Sequence, residues 1–184
     1  MRAAMSKRAG QEQFLILLDE HKKILFKIAN SYCRQASDRE DLIQEMVLQL
    51  WRSFGRYDPR SRFTTWMYRV ALNVAISFYR RETRRPRTTT LDEQAVLQIS
   101  PQSRESEAAS RDADGQLLES FIRQLNDFDR ALVILYLDGN RHDTIAEILG
   151  ISETNVGTKI GRIKQKLREM SAADEGEAVG HGTR

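Results

Sequence analysis

A chain of 184 residues, 40% hydrophobic and 30% charged, has the composition of a soluble globular protein with one domain or two small ones. The net charge of +3 is only mildly basic, but it is segregated: arginines cluster from Arg80 to Arg87, and acids gather at Asp38–Glu45 and Asp174–Glu177. That asymmetry calls for one anionic and one basic partner, while the single cysteine, Cys33, excludes an internal disulfide framework and suits a reducing compartment.

After a frayed stretch over residues 1–10, Phe14, Leu15, Leu17, Leu18, His21, Ile24, Leu25, Ile28 and Tyr32 trace a helix from Gln11. The run Phe14–Leu18 is short and followed by Asp19 and Glu20, unlike a signal peptide. No apolar run reaches the ~18 residues of a membrane span, so no membrane insertion is expected and a cytoplasmic location is. Cys33 reads as a packed small hydrophobe, and His21 as a boundary residue.

The segment SDREDLIQEMVLQLWRSF predicts a second helix, capped by Ser37 or Asp38. Leu42, Met46, Leu50 and Phe54 form its apolar stripe, with Ile43, Val47 and Trp51 beside it. Asp38, Asp41, Gln44, Glu45 and Gln49 stay outside. Those acids either complement a helix N-terminus or meet a basic partner. Gly55–Arg62, with its Tyr-Asp-Pro-Arg turn, reverses the chain.

A third helix, FTTWMYRVALNVAISFYRRETRR, spans Phe63–Arg85. Phe63, Trp66, Met67, Val70, Val74 and Phe78 mark its apolar face, and the polar Asn73 lies mid-helix. Arg80, Arg81, Arg84, Arg85 and Arg87 follow. Cations are favoured near a helix C-terminus, but this cluster exceeds what capping requires and points to a polyanion. Trp66 can serve as a stacking platform, though its spacing favours the core.

Thr88–Asp112 is rich in Ser, Thr, Gln and Glu and contains Pro101. It reads as a linker between two domains. Leu117, Leu118, Phe121, Ile122 and Leu125 mark another helix, Asp127 caps the next, and Asp138-Gly139-Asn140 breaks it. In HDTIAEILGISETNVGTKIGRIKQKLRE, small Ala146 allows close helix crossing and Gly150 a left-handed turn. Ile145, Leu149, Ile151 and Val156 fill the space between two helices, and Ser152 caps the second. This is a helix-turn-helix, or in the plainer reading a structural hairpin. Val156, Ile160, Ile163 and Leu167 face its core, leaving Asn155, Thr158, Lys159, Arg162 and Lys166 outside. The residues after Met170 read as a disordered tail. The expected fold is all-α, with two small helical domains at 11–87 and 113–170, a flexible linker at 88–112 and a tail at 171–184.

Together these features resemble the sigma-70 family, in particular the extracytoplasmic-function sigma factors that keep only regions 2 and 4. The resemblance rests on DREDLIQEMVLQLW and FTTWMYRVALNVAISFYRR for region 2, and on LNDFDRALVILYLDGNRHDTIAEILGISETNV for region 4. It implies a promoter-recognition subunit that docks on core RNA polymerase, at the clamp helices of the largest subunit, through Asp38, Asp41, Gln44 and Glu45. Asn73 falls where the family captures a base flipped from the −10 element, the position of a reading amide. Arg80, Arg81, Arg84 and Arg85 would hold strand phosphates. Asn155, Thr158, Lys159 and Arg162 would enter the −35 major groove, and an anti-sigma factor would be a further partner.

Two positions depart from the pattern. Gly157 stands where many members carry arginine, which implies closer backbone approach or fewer base contacts. Ser77 stands where aspartate is frequent, which bears on −10 specificity. Two rival classes weigh against this reading. A helix-turn-helix regulator acting without core polymerase would bind duplex DNA by itself. An enzyme would need a phosphate loop, a metal-ligand cluster or a nucleophile constellation; none is found in the sequence, and neither a cofactor nor a metal is expected.

Overall fold

A computed structural model describes residues 2–84, 115, 118 and 120–180, with side chains for 10–83, 115, 118 and 120–170. The linker at 88–112, Arg85 and residues 181–184 lie outside the described residues. Among those described, every regular element is a helix. These are α1 (Arg2–His21), α2 (Lys23–Tyr32), α3 (Ala36–Phe54), α4 (Phe63–Arg84), the helical residues 120–124 (α5), α6 (Asp127–Leu137), α7 (His142–Leu149) and α8 (Glu153–Gly180).

Several local expectations are corrected. Helical backbone begins at Arg2, within the stretch expected to fray, and a turn residue at Lys22 divides what the periodicity reads as one helix. Gln35, in extended conformation, precedes α3, so neither Ser37 nor Asp38 is its cap; Asp38 lies in the first turn. Asn126 caps α6, its side chain accepting from the Asp129 amide at 2.8 Å, and Asp127 is the first helical residue. A carboxylate there still suits the positive end of the helix. The helix α8 runs on through Gly180, beyond Met170.

The first unit packs α2, α3 and α4 against one another. Leu25, Ile28, Leu42, Met46, Leu50, Met67 and Leu72 are essentially removed from solvent. Its edge is an aromatic box: Phe54, Tyr57, Phe63 and Trp66 meet with ring centroids 5.2–6.1 Å apart. Trp66 is thereby packed into the wall, as its spacing suggests. The turn before α4 is closed by the Asp58 carboxylate, which accepts from Arg60 Nη2 at 2.7 Å and from the Arg60 amide at 3.0 Å. That pairing holds the Asp58 carboxyl below its ordinary range.

The second unit is built from α6, α7 and α8. Gly150 ends α7 at φ 69°, a left-handed conformation that favours glycine. Ser152 Oγ accepts from the Asn155 amide at 3.3 Å and starts α8. Ile145 and Val156 are fully buried between α7 and α8. The two units also share one apolar core, because α4 packs against both α6 and α7.

Leu42 is buried completely, whereas Leu48 on the same helix is 53% exposed. Leu42→Ala is expected to lower stability by about 2–5 kcal/mol, and Leu48→Ala by no more than about 0.5 kcal/mol, read from urea unfolding by circular dichroism. Burial, with Asp38 adding to it, pushes the Cys33 thiol up to about 11 from an ordinary value near 9. A raised thiol favours the protonated folded state. Its contribution is therefore complete below pH 9 and is lost as pH rises through about 11. Iodoacetamide should accordingly label Cys33 at pH 8 far more slowly in the folded chain than in urea.

Candidate nucleic-acid and partner interfaces

On α3, Asp41 and Gln44 are exposed, and Asp38 and Glu45 are half-buried. The spacing of three and four continues this face into Leu48 and Trp51, which are 53% and 39% exposed. Trp51 rests on Phe14, ring centroids 5.1 Å apart. The surface is thus acidic at its N-terminal end and apolar beyond, the composition that receives an amphipathic basic helix. Leu48 is the residue that sequence reasoning missed, although it falls one turn after Gln44 on the polar stripe.

On α4, Asn73 is exposed and its backbone carbonyl accepts from Ser77 Oγ at 2.8 Å. The helix is continuous through this point, so the amide stands on a helix face and not in a loop. At the end of α4, Arg80 Nε reaches Asp127 at 2.5 Å, and Arg81 Nη2 reaches Glu45 Oε2 at 3.1 Å. The Arg81 guanidinium also lies 5.0 Å from the centroid of Phe78. The backbone of Arg84 closes the helix; its side chain, like Arg85, lies outside the described residues.

On α8, Asn155, Thr158 and Arg162 are exposed together. Lys159 differs from them. Its Nζ bonds Asp129 Oδ1 at 3.0 Å and sits 5.1 Å from the Phe128 ring, so it is turned back onto α6. A shallow cleft of about 380 Å³ beside it is lined by Lys159, Arg162 and Lys166 opposite Asp129. A Cβ built at Gly157 would meet only His142 Nδ1, at 4.0 Å. Packing therefore does not demand glycine at this position.

The two units are fastened by Arg130, which sequence reasoning did not single out. It is 3% exposed. Its guanidinium donates to the carbonyls of Ile122, Arg123 and Leu125 at 3.2, 2.8 and 3.1 Å. It also lies 5.1 Å from the ring of Tyr32 and 4.8 Å from that of Tyr79. Tyr32 Oη donates to the Asp127 carbonyl at 2.6 Å, and burial raises its phenol well above the ordinary value. Around this centre, Lys27 and Tyr68 both donate to the Asp138 carboxylate, whose side chain is 11% exposed. Arg69 reaches Glu147 at 3.3 Å.

The arrangement is that of two helical units, the second carrying a helix-turn-helix at α7 and α8, with a separate acidic and apolar face on α3. Comparison with known proteins agrees. The sigma-70 region 2 model matches residues 17–85 and the sigma-70 region 4 model matches residues 115–167. The chain is 23% identical to the ECF RNA polymerase sigma factor SigW of Bacillus subtilis, covering 89% of this chain and 91% of that protein. It is 25% identical to the RNA polymerase sigma factor CnrH of Cupriavidus metallidurans, covering 94% and 93%. Its fold matches CnrH solved with the cytosolic domain of CnrY, at a TM-score of 0.65, 23% identity and coverage of 94% and 96%. It also matches the sigma factor RpoE solved with the anti-sigma factor NepR from Bartonella quintana, at 0.61, 20% identity and coverage of 89% and 97%. The chain belongs to the sigma-70 family, as an extracytoplasmic-function sigma factor, an alternative promoter-recognition subunit of RNA polymerase.

Arg162→Ala is expected to flatten the salt dependence of duplex DNA binding by about one unit of log K per log salt, as for loss of one phosphate contact. Lys159→Ala should flatten that slope less than Arg162→Ala does, because in the free chain the ammonium is paired with Asp129 and must exchange that carboxylate for a phosphate. Fluorescence anisotropy titrations across a salt series measure both.

Proposed function

We propose that this sigma factor docks on the clamp helices of the largest polymerase subunit through α3, with Asp41, Gln44 and Glu45 meeting basic side chains and Leu48 and Trp51 supplying the apolar part of the contact. Asp38, half-buried in the first turn, borders that surface. In the same unit, Asn73 reads a base extruded from the −10 strand, while Arg80, Arg81, Arg84 and Arg85 hold its phosphates. The second unit places Asn155, Thr158 and Arg162 of α8 in the −35 major groove, with Lys159 at the edge of that surface.

The observation that supports this reading best is that exposed polar faces of the right character lie on both family-matched units at once: acids and an apolar rim on α3, and Asn155, Thr158 and Arg162 on α8. A duplex-binding regulator would use only the second face and would leave the α3 surface and the arginine-ended α4 without a role. The factor makes and breaks no covalent bonds and acts in the cytoplasm, where the polymerase is. Its contribution is binding energy that offsets the few kcal/mol needed to unstack a base. Among the described residues, no helix is long and apolar enough to cross a membrane. An anti-sigma factor is proposed as the regulator. The partner named in the RpoE complex supports this, as does an exposed α3 face that such a protein could cover.

Run-off transcription with core RNA polymerase on a promoter library tests the assignment. Specific initiation is expected only when the chain is added, and the enriched templates would define the −35 and −10 elements. Asp41→Arg combined with Glu45→Arg should abolish core binding with unchanged circular dichroism. Wild-type affinity for core in that variant would remove α3 from the docking surface.

A further inference from the structure

Arg80 and Arg81 are already occupied in the chain itself. Arg80 Nε is 2.5 Å from Asp127 Oδ2, and the Asp127 side chain is only 18% exposed, so this carboxylate is largely withdrawn from competing water. Arg81 Nη2 is 3.1 Å from Glu45 Oε2, and its Nε is 3.8 Å from Glu82 Oε1. Glu45 raises the Arg81 guanidinium above its ordinary range. The two holding carboxylates lie in different places. Glu45 is on α3, within the docking face, and Asp127 opens α6 in the second unit.

Carboxylate and phosphate compete for the same guanidinium fork. We infer that Arg80 and Arg81 are held off the −10 strand by Asp127 and Glu45 in the isolated chain, and that strand capture proceeds by exchanging each carboxylate for a phosphate. This rests on the reading of these arginines as strand contacts and adds how they are controlled. A basic partner that takes Glu45 releases Arg81. Separation of the two helical units releases Arg80. By linkage the effect is reciprocal: DNA that takes Arg81 leaves Glu45 free for its partner. Docking and strand capture therefore favour each other through one shared ion pair, in addition to any geometric effect of the polymerase. The Arg81 pair, half-exposed on both sides, is screened by salt, so the coupling is strongest at low ionic strength.

The test is a set of double-mutant cycles on the full chain at low salt. Its probe is a fluorescein-labelled single-stranded DNA of random sequence, since phosphate contacts carry no sequence information. Asp127→Asn keeps an oxygen for the Phe128 amide that Asp127 Oδ1 now accepts at 3.0 Å, and Glu45→Gln is isosteric. Each is expected to tighten binding about threefold to fivefold, the scale of one surface ion pair. The gain from Asp127→Asn should vanish in an Arg80→Gln background, and that from Glu45→Gln in an Arg81→Gln background. Unchanged affinity in the carboxylate variants overturns the proposal. So does a gain that persists in the arginine-free backgrounds, which would be a bulk charge effect. If Arg80→Gln and Arg81→Gln themselves bind like wild type, the strand-contact reading fails and the exchange fails with it, while specific run-off by the wild-type chain would leave the sigma assignment standing.

Discussion

The arrangement of the two units depends on a buried cation. An unpaired guanidinium in an apolar interior is very costly, and Arg130 is almost wholly enclosed. Its charge is answered by three carbonyls at the end of α5 and by the faces of Tyr32 and Tyr79. The carbonyls belong to a helix C-terminus, where unsatisfied acceptors and the negative end of the dipole gather. The rings belong to the other unit. One side chain thus terminates a helix and locks it against α2 and α4. The Tyr32 hydroxyl closes the circuit by donating to the backbone at Asp127.

Around that centre the rim of the interface is polar. Asp138 receives Lys27 and Tyr68, Asp127 receives Arg80, and Glu147 receives Arg69. Ion pairs at a partly wet interface contribute little each. The first two do discriminate between arrangements, because removing the cation leaves a largely buried carboxylate behind at Asp138 or Asp127. Such a joint suits a protein whose two units must grip separate stretches of DNA. The apolar packing of α4 against α6 and α7 holds the units together, and the charged rim lets other anions compete for the same cations.

The helices themselves were legible in the chain because their periodicity is local. Leu42, Met46 and Leu50 recur at helical spacing and are all fully buried, and the turn at Asp138-Gly139-Asn140 and the glycine at 150 stand where their chemistry requires. Cap positions were less legible. Asn126 and Asp127 are both good caps by type, and only the position of α6 relative to the preceding turn selects the first. The spacing assigns Leu48 to neither face of α3 and sets Lys159 on the outer face of α8, whereas its ammonium turns back onto Asp129. The directions they take depend on neighbours distant in sequence.

What the sequence determined by itself is the class of protein: two helical units, an acidic stripe, an arginine-ended helix and a helix-turn-helix, each written in residues within one or two turns of each other. What only the tertiary structure decided is how those parts are joined. Arg80 with Asp127, Arg81 with Glu45 and Arg130 with Tyr32 and Tyr79 are pairings across 47, 36, 98 and 51 positions of chain. No periodicity encodes such pairs. They form because packing apolar faces brings opposite charges and open aromatic faces to the same rim, where leaving any of them alone would cost solvation.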